Sequence, residues 1–475
     1  ETAVKESKDR VRSALLNSRL EFPARRITVN LAPADLPKDG GRYDLPIAIG
    51  ILAASRQIPM PPLEQLEFIG ELSLGGELRP IDAVLPAAIY CSKAKRSLVL
   101  PDENYPQAAI SKQAKLLPAK QLLEICSHLL GESNLGNIKP ETIAAQNTSN
   151  TRSDNYPNLE DVKGQAAAKR ALEICAAGGH NLLLSGPPGT GKTLLASRLP
   201  SILPELAEHE LLSTAAILSV ASRRFDGGNI RRPFRAPHHT ASAAALVGGG
   251  SQPRPGEISL AHNGVLFLDE LPEFPRKVLD VLREPLESGE IMISRANQQV
   301  SFPSNFQLVA AMNPCPCGYS GHPTIECQCT PQQVTRYRSK ISGPLLDRFD
   351  LHVEVPVQGG DVLMQSGGDG ETSATVRERV LIARARQSER GCLNAALSGR
   401  ALQAACRLDR QGEQLLTGAM EKLGLSARAL HRILRVARTL ADLEGSEELR
   451  QSHLVEALGY RQLDRQQGRN SVVSA

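Results

Sequence analysis

Tryptophan is absent from this chain, and aromatic residues make up only 3% of it. Stacking platforms for single-stranded bases therefore have little to be built from. No apolar run approaches the length of a membrane span, which argues against a transmembrane helix. Neither sign of charge dominates: 55 Lys and Arg against 51 Asp and Glu leave a net of +4, too small by itself to argue for nucleic acid. The nine cysteines are odd in number and mostly scattered, which fits thiols in a reducing, cytoplasmic setting rather than a disulfide framework. Because the first residue is Glu1, the start is expected to be missing and targeting signals are not readable. The 475 residues, 41% of them hydrophobic, are enough for two or three units with cores of their own.

What is present is organised around one stretch. The apolar run Leu182 to Leu184 feeds the turn Gly186, Pro187, Pro188, Gly189, Thr190, Gly191, Lys192, Thr193, and a helix-forming run starts at Leu194. That is the strand–loop–helix context of a phosphate-binding loop. Glycines at 186, 189 and 191 let successive backbone N–H groups turn inward as a cradle for anionic oxygens. Lys192 adds a point charge for the β- and γ-phosphates, and the Thr193 hydroxyl can ligate Mg²⁺. A second buried-strand pattern, Val265 to Leu268, ends in two carboxylates. Asp269 is placed to hold the Mg²⁺ shell and Glu270 to polarise the attacking water. The pair of motifs predicts hydrolysis of a nucleoside triphosphate, ATP being the expected one.

Upstream of these motifs, residues 1–132 read as a separate α+β domain. The pattern predicts a helix to about Leu20, a strand over Arg26–Leu31, a buried helix over Leu45–Ala54 and strands around Phe68–Leu74 and Leu98–Leu100. Pro37 to Gly40, Gly70 to Ile81 and Leu98 to Glu103 resemble the proteolytic, S5-type domain of the Lon family. Lon-type hydrolysis needs a serine nucleophile with a lysine base. After Gly40 this chain reads Gly41, Arg42, Tyr43, Asp44, and after Ile81 it reads Asp82, Ala83, Val84, Leu85, Pro86. Neither member of the dyad is there, so the domain is read as proteolytically inert. Residues 133–158 are a polar linker, and the ATPase core is expected over 159–358.

Within that core, Asn158 to Gln165 opens a helix running to about Ala177. Within an insert, Arg231–Ser242 and Gly248–Asn263 carry basic residues and glycines without a helical period, and the adjacent His238 and His239 are a minor candidate for a metal. A helix is expected over Arg276–Ser288, then a hairpin over Gly289–Phe302 with Arg295 and Asn297 near its tip, and a core strand ending at Asn313. Cys315, Cys317, Cys327 and Cys329 follow at once. Two Cys-x-Cys pairs can supply four thiolates to one Zn²⁺; the pair spacing is tighter than usual, His322 could replace a cysteine, and free thiols are the alternative. Gly359–Thr372 is a glycine-rich linker, and arginine-rich helical periods over Val376–Arg390 and Arg400–Gly459 complete a region spanning 359–475.

Phe234–Ser242, Arg254–Glu273 and Met312–Cys317 resemble the magnesium-chelatase-like AAA+ family of the bacterial ComM/YifB type, and the likeness extends over essentially the whole chain. The resemblance implies an α/β fold: an AAA+ P-loop core with a helical lid, preceded by the inert Lon-like domain. It also implies roles: adenine contact near Val162–Gln165, a γ-phosphate sensor at Asn313, an arginine finger at Arg348, a second sensor at Arg428, and a pore hairpin whose Arg295 and Asn297 touch a phosphate backbone. The implied protein is a hexameric ATP-driven helicase promoting branch migration on DNA during natural transformation. Alternatives are the ATPase subunit of magnesium chelatase, against which the Lon-like domain and the cysteine insert speak, and an ATP-switched remodeller of protein.

Overall fold

The computed structural model describes residues 2–32, 40–136, 156–221, 230–250, 253–295, 298–364 and 370–461. The chain divides into two compact units, one of residues 1–153, 207–231 and 294–300, the other of residues 154–206, 232–293 and 301–475. Among the described residues no helix is long and apolar enough to cross a membrane.

The first unit holds a three-stranded parallel sheet of Leu66–Phe68, Ser97–Pro101 and Lys115–Ala119, with Ser97–Pro101 in the middle. Helices Thr2–Asn17, Asp44–Ala54 and Leu122–Leu129 supply Leu15, Leu45, Leu52 and Ile125 to its core. The turn Gly41–Tyr43 leads into a fully buried Asp44. Its carboxylate accepts from Ser7 Oγ, Arg10 and the Leu72 backbone N–H. The place after Gly40 is therefore taken by a carboxylate that ties two helices and a strand together. The expected strand over Arg26–Leu31 is not formed; the stretch is irregular and almost wholly exposed. Alternation of side chains makes a strand only where a neighbour completes the ladder.

The second unit is built on a five-stranded sheet: β1 (Leu182–Ser185), β2 (Phe234–Arg235), β3 (Val265–Leu268), β4 (Gln307–Met312) and β5 (Leu351–Glu354). Every neighbouring pair is parallel and the order is β5-β1-β4-β3-β2. A parallel sheet is covered on both faces, so its inner strands need apolar residues at every position. Leu182–Leu184 and Val265–Leu268 meet that need and are fully buried. One core joins these strands to helices Ala166–Gly178, Ser373–Glu389 and Ala427–Glu444 through Leu172, Val380 and Val436. The C-terminal helices have readable ends. Thr372 and Ser426 accept backbone N–H groups at two N-termini, and Gly445 closes the last of these helices in the left-handed region.

Two expectations for this unit are corrected. The helix predicted over Arg276–Ser288 is two short helices, Arg276–Asp280 and Arg283–Ser288. Pro285 has no N–H to give Val281, and its ring crowds that carbonyl. The stretch Gly248–Asn263 is not devoid of helix, since Glu257–Leu260 forms a short one.

Candidate nucleotide site and cysteine cluster

All five strands point the same way, so their C-terminal ends share one edge, where open α/β sheets bind ligands. β4 lies between β1 and β3, which brings the residues after three different strands side by side. The phosphate loop leaves β1 there. Gly186 passes so close to the chain leaving β5 that a β-carbon would stand 2.2 Å from the Val355 carbonyl oxygen. Gly189 and Gly191 take positive φ of 78° and 84°, which the turn requires and side chains resist. Lys192 is buried, its Nζ donating to the carbonyls of Gly186 and Pro187 at 2.7 and 2.8 Å and to Asn313 Oδ1 at 3.2 Å. Burial lowers its pKa below the ordinary lysine value, with Asp269 and Glu270 pulling the other way. The Thr190 hydroxyl donates to the Pro187 carbonyl and pins the turn.

The carboxylates sit where β3 ends. Thr193 Oγ1 donates to Asp269 Oδ2 at 2.6 Å, and the Glu270 N–H donates to Asp269 Oδ1 at 2.9 Å. Two adjacent ligand oxygens of octahedral Mg²⁺ stand about 3 Å apart, so this hydroxyl–carboxylate pair fits that ion. Glu270 itself has a left-handed backbone, φ 51° and ψ 48°, uncommon outside glycine. Its carboxylate is half exposed and lies 3.2 Å from His239 Nδ1. The His239 ring is wedged between His238, at 4.1 Å between centroids, and the edge of Phe274. His239 is thus committed to Glu270, and the two histidines join no cluster of metal-ligating side chains among the described residues.

Beyond Asn313 the four cysteines come together. Cys315 Sγ is 3.3 Å from Cys317 Sγ and 3.6 Å from Cys327 Sγ, and all four sulfurs lie within 4.8 Å of one another. Four sulfurs at 2.3 Å from one zinc ion would be about 3.8 Å apart, so the donor set fits tetrahedral Zn²⁺. His322 stays outside the cluster, its Nδ1 accepting from the Ile325 N–H at 2.9 Å. None of the nine cysteines is in a disulfide.

The remaining residues singled out in the sequence are spread further. Arg348 pairs with Glu287, and burial together with Arg432, Arg428 and Arg283 lowers its pKa. Asp350, a neighbour in sequence, is instead taken by Arg432 at 2.8 Å and by the Asn181 N–H at 3.1 Å. Arg428 is exposed on the first turn of helix Ala427–Glu444. Arg295 ends the hairpin strand Glu290–Arg295, but its side chain, like the whole of Asn297, lies outside the described residues. In the segment expected near adenine, Gln165 spans the site's floor, its Nε2 donating to the carbonyls of Pro356 at 2.8 Å and Thr190 at 3.3 Å. Sequence reasoning did not find this brace, nor the His239–Glu270 contact. The second needs the strand order, which sets the end of β2 beside the end of β3.

Three family descriptions cover nearly the whole chain: "Magnesium chelatase, subunit ChlI" over residues 158–362, "Subunit ChlI of Mg-chelatase" over 1–104 and "Magnesium chelatase, subunit ChlI C-terminal" over 370–461. Competence protein ComM of Haemophilus influenzae is 53% identical over 468 residues, covering 98% of this chain and 91% of that protein. The chain belongs to the ComM/YifB family of magnesium-chelatase-like AAA+ proteins. Its YifB relative in Escherichia coli is 49% identical over 98% of this chain and 90% of its own length. Lon protease 2 of Bacillus subtilis is 28% identical over 185 residues, 34% of this chain and 33% of that protease. The phosphate loop and the Asp269–Glu270 pair both fall within the residues matched to "Magnesium chelatase, subunit ChlI".

Proposed function

We propose that the chain is an ATP-hydrolysing ring motor acting on DNA, a helicase that promotes branch migration in natural transformation or recombination. The observation that carries ATP hydrolysis is the convergence of Lys192, Thr193, Asp269, Glu270 and Asn313 at one sheet edge. The DNA arm is supported by the relative named for competence. Lys192 exchanges its loop carbonyls for the β- and γ-phosphates, and the loop N–H groups hold the remaining oxygens. Mg²⁺, held by Thr193 and Asp269, neutralises phosphate charge. Glu270 orients the attacking water and accepts its proton, while Asn313 fixes the water and γ-phosphate relative to Lys192. Cys315, Cys317, Cys327 and Cys329 hold one zinc ion per chain. The assembly is a hexameric homo-oligomer in which Arg348 serves a neighbour's γ-phosphate and Arg428 acts as the lid sensor. Arg295 and Asn297 meet the DNA backbone, and the first domain is a non-proteolytic platform.

ATPase turnover with forked and with linear duplex DNA tests this reading. Stimulation is expected, with the fork more effective than the linear duplex. Vigorous turnover indifferent to every DNA would overturn the DNA arm and favour a motor that remodels protein.

A further inference from the structure

The end of β4 delivers two side chains to two different centres. Asn313 accepts from Lys192 Nζ at 3.2 Å in the phosphate loop, and two residues on Cys315 stands 3.3 Å from Cys317 in the sulfur cluster. A second bridge lies at Gly318, where φ is +87° and a β-carbon would come within 2.7 Å of Pro188 Cδ and 3.9 Å of Asn313 Cγ. The cysteine loop therefore rests on the phosphate loop through a glycine, with no room for a side chain. Pro314, between the two centres, accepts from the Arg338 guanidinium at 3.2 Å through its carbonyl.

From Asn313 to Cys329 the backbone forms no helix or strand. Besides the turns closed by Gly318 N–H on the Cys315 carbonyl and His322 N–H on the Tyr319 carbonyl, both at 3.0 Å, and the bonds to His322 Nδ1, sulfur orders it: Cys317 N–H donates to Cys329 Sγ at 3.4 Å and Ser320 N–H to Cys315 Sγ at 3.3 Å. Sulfur is a weak acceptor, so these bonds hold the loop weakly. Keeping such a loop closed costs chain entropy that a metal ion offsets on binding. Whatever closes this loop also sets Gly318 against Pro188 and Asn313 against Lys192.

We propose that the four-cysteine centre is a mount for the phosphate loop, so that metal at the cysteines and ATP at Lys192 bind with positive coupling. The inference rests on the zinc reading given above. Coupling of this kind is reciprocal: if metal tightens nucleotide binding, nucleotide tightens metal binding by the same factor.

The test uses the full chain and a colorimetric zinc chelator, with and without a non-hydrolysable ATP analogue and Mg²⁺. At equilibrium, saturating analogue is expected to raise the zinc affinity about fivefold or more, the lower range of allosteric couplings, read from the chelator concentration that removes half the zinc. Zinc-depleted protein should bind the analogue more weakly by a similar factor and recover on zinc addition. Lys192→Ala should keep its zinc but lose the nucleotide effect. Gly318→Ala should keep one zinc per chain while the effect shrinks, because the new methyl pushes Pro188 away. If Gly318→Ala does not fold, the wild-type comparison decides alone. One zinc per chain, held with an affinity indifferent to nucleotide, overturns the mount and leaves the zinc reading standing. Protein that folds and holds no zinc overturns both.

Discussion

In the proposed ATPase, Lys192 and Glu270 would divide the chemistry between capture and cleavage, and each can be removed without the other. The Lys192 ammonium is buried against carbonyls of its own loop, so truncation deletes the strongest charge aimed at the phosphates. Charge-assisted hydrogen bonds contribute about 1.5–3 kcal/mol each, so Lys192→Ala should weaken ATP binding by roughly ten- to a hundredfold or more. Glu270→Gln keeps the size and the backbone turn but loses the proton acceptor. Binding should stay near wild type while turnover falls by about two to four orders of magnitude. Equilibrium nucleotide titration beside single-turnover kinetics separates the two. Normal turnover in Glu270→Gln would remove the water-polarising role. Both positions were legible in the sequence, because a phosphate loop and a strand ending in acid are local patterns. The hold of His239 on Glu270 was not, since the two residues meet only through the pairing of β2 with β3.

At the scale of elements, the C-terminal helices are fastened by buried charge as well as by the apolar face of Ala427–Glu444. Asp442 is fully buried and takes Arg390, Arg438 and the Asn394 amide together. Asp442→Ala would leave Arg438, itself buried, without its carboxylate. Breaking such a network by one partner costs about 3–5 kcal/mol, so thermal unfolding should shift down by several degrees. An unchanged melting curve would show that the pairing adds nothing to stability. The periodicity of these helices was plain in the sequence; the Ser426 cap and the stop at Gly445 came from the structure. Arg26–Leu31 and Arg276–Ser288 show the opposite case. The first has the alternation of a strand but no ladder partner, and the second has the period of a helix but a proline inside it.

At the scale of the whole molecule, the open question is whether Arg348 serves its own chain or the next one. Within one chain its guanidinium faces Glu287 amid Arg283, Arg428 and Arg432. Glu287, Asp280 and Asp350 pair with Arg348, Arg283 and Arg432, so a phosphate from a neighbour would have to take Arg348 from Glu287. An arginine finger contributes about three to five orders of magnitude in rate. Arg348→Ala should therefore leave ATP binding intact and turnover nearly absent. Mixing Arg348→Ala with Lys192→Ala subunits should restore part of the activity, since an intact phosphate loop from one can face an intact arginine from the other. Mixed rings without recovery, or full activity from isolated monomers, would make Arg348 a local partner of Glu287 only.

The sequence by itself determined the parts whose chemistry is local. The phosphate loop, the Asp269–Glu270 strand end and the close-set cysteines each lie within a run of about fifteen residues or fewer. It also shows directly that residues 41–44 hold no serine and residues 82–86 no lysine. Only the tertiary structure decided that β4 inserts between β1 and β3, and with it the meeting of Asn313 with Lys192 and of Asp269 with Thr193. It alone set Gly318 against Pro188 and turned His239 from metal candidate to partner of Glu270. The physical reason is the same throughout. Strand order and loop contacts are settled by which apolar faces bury together over separations of dozens of residues, and no local pattern of residue types encodes that choice.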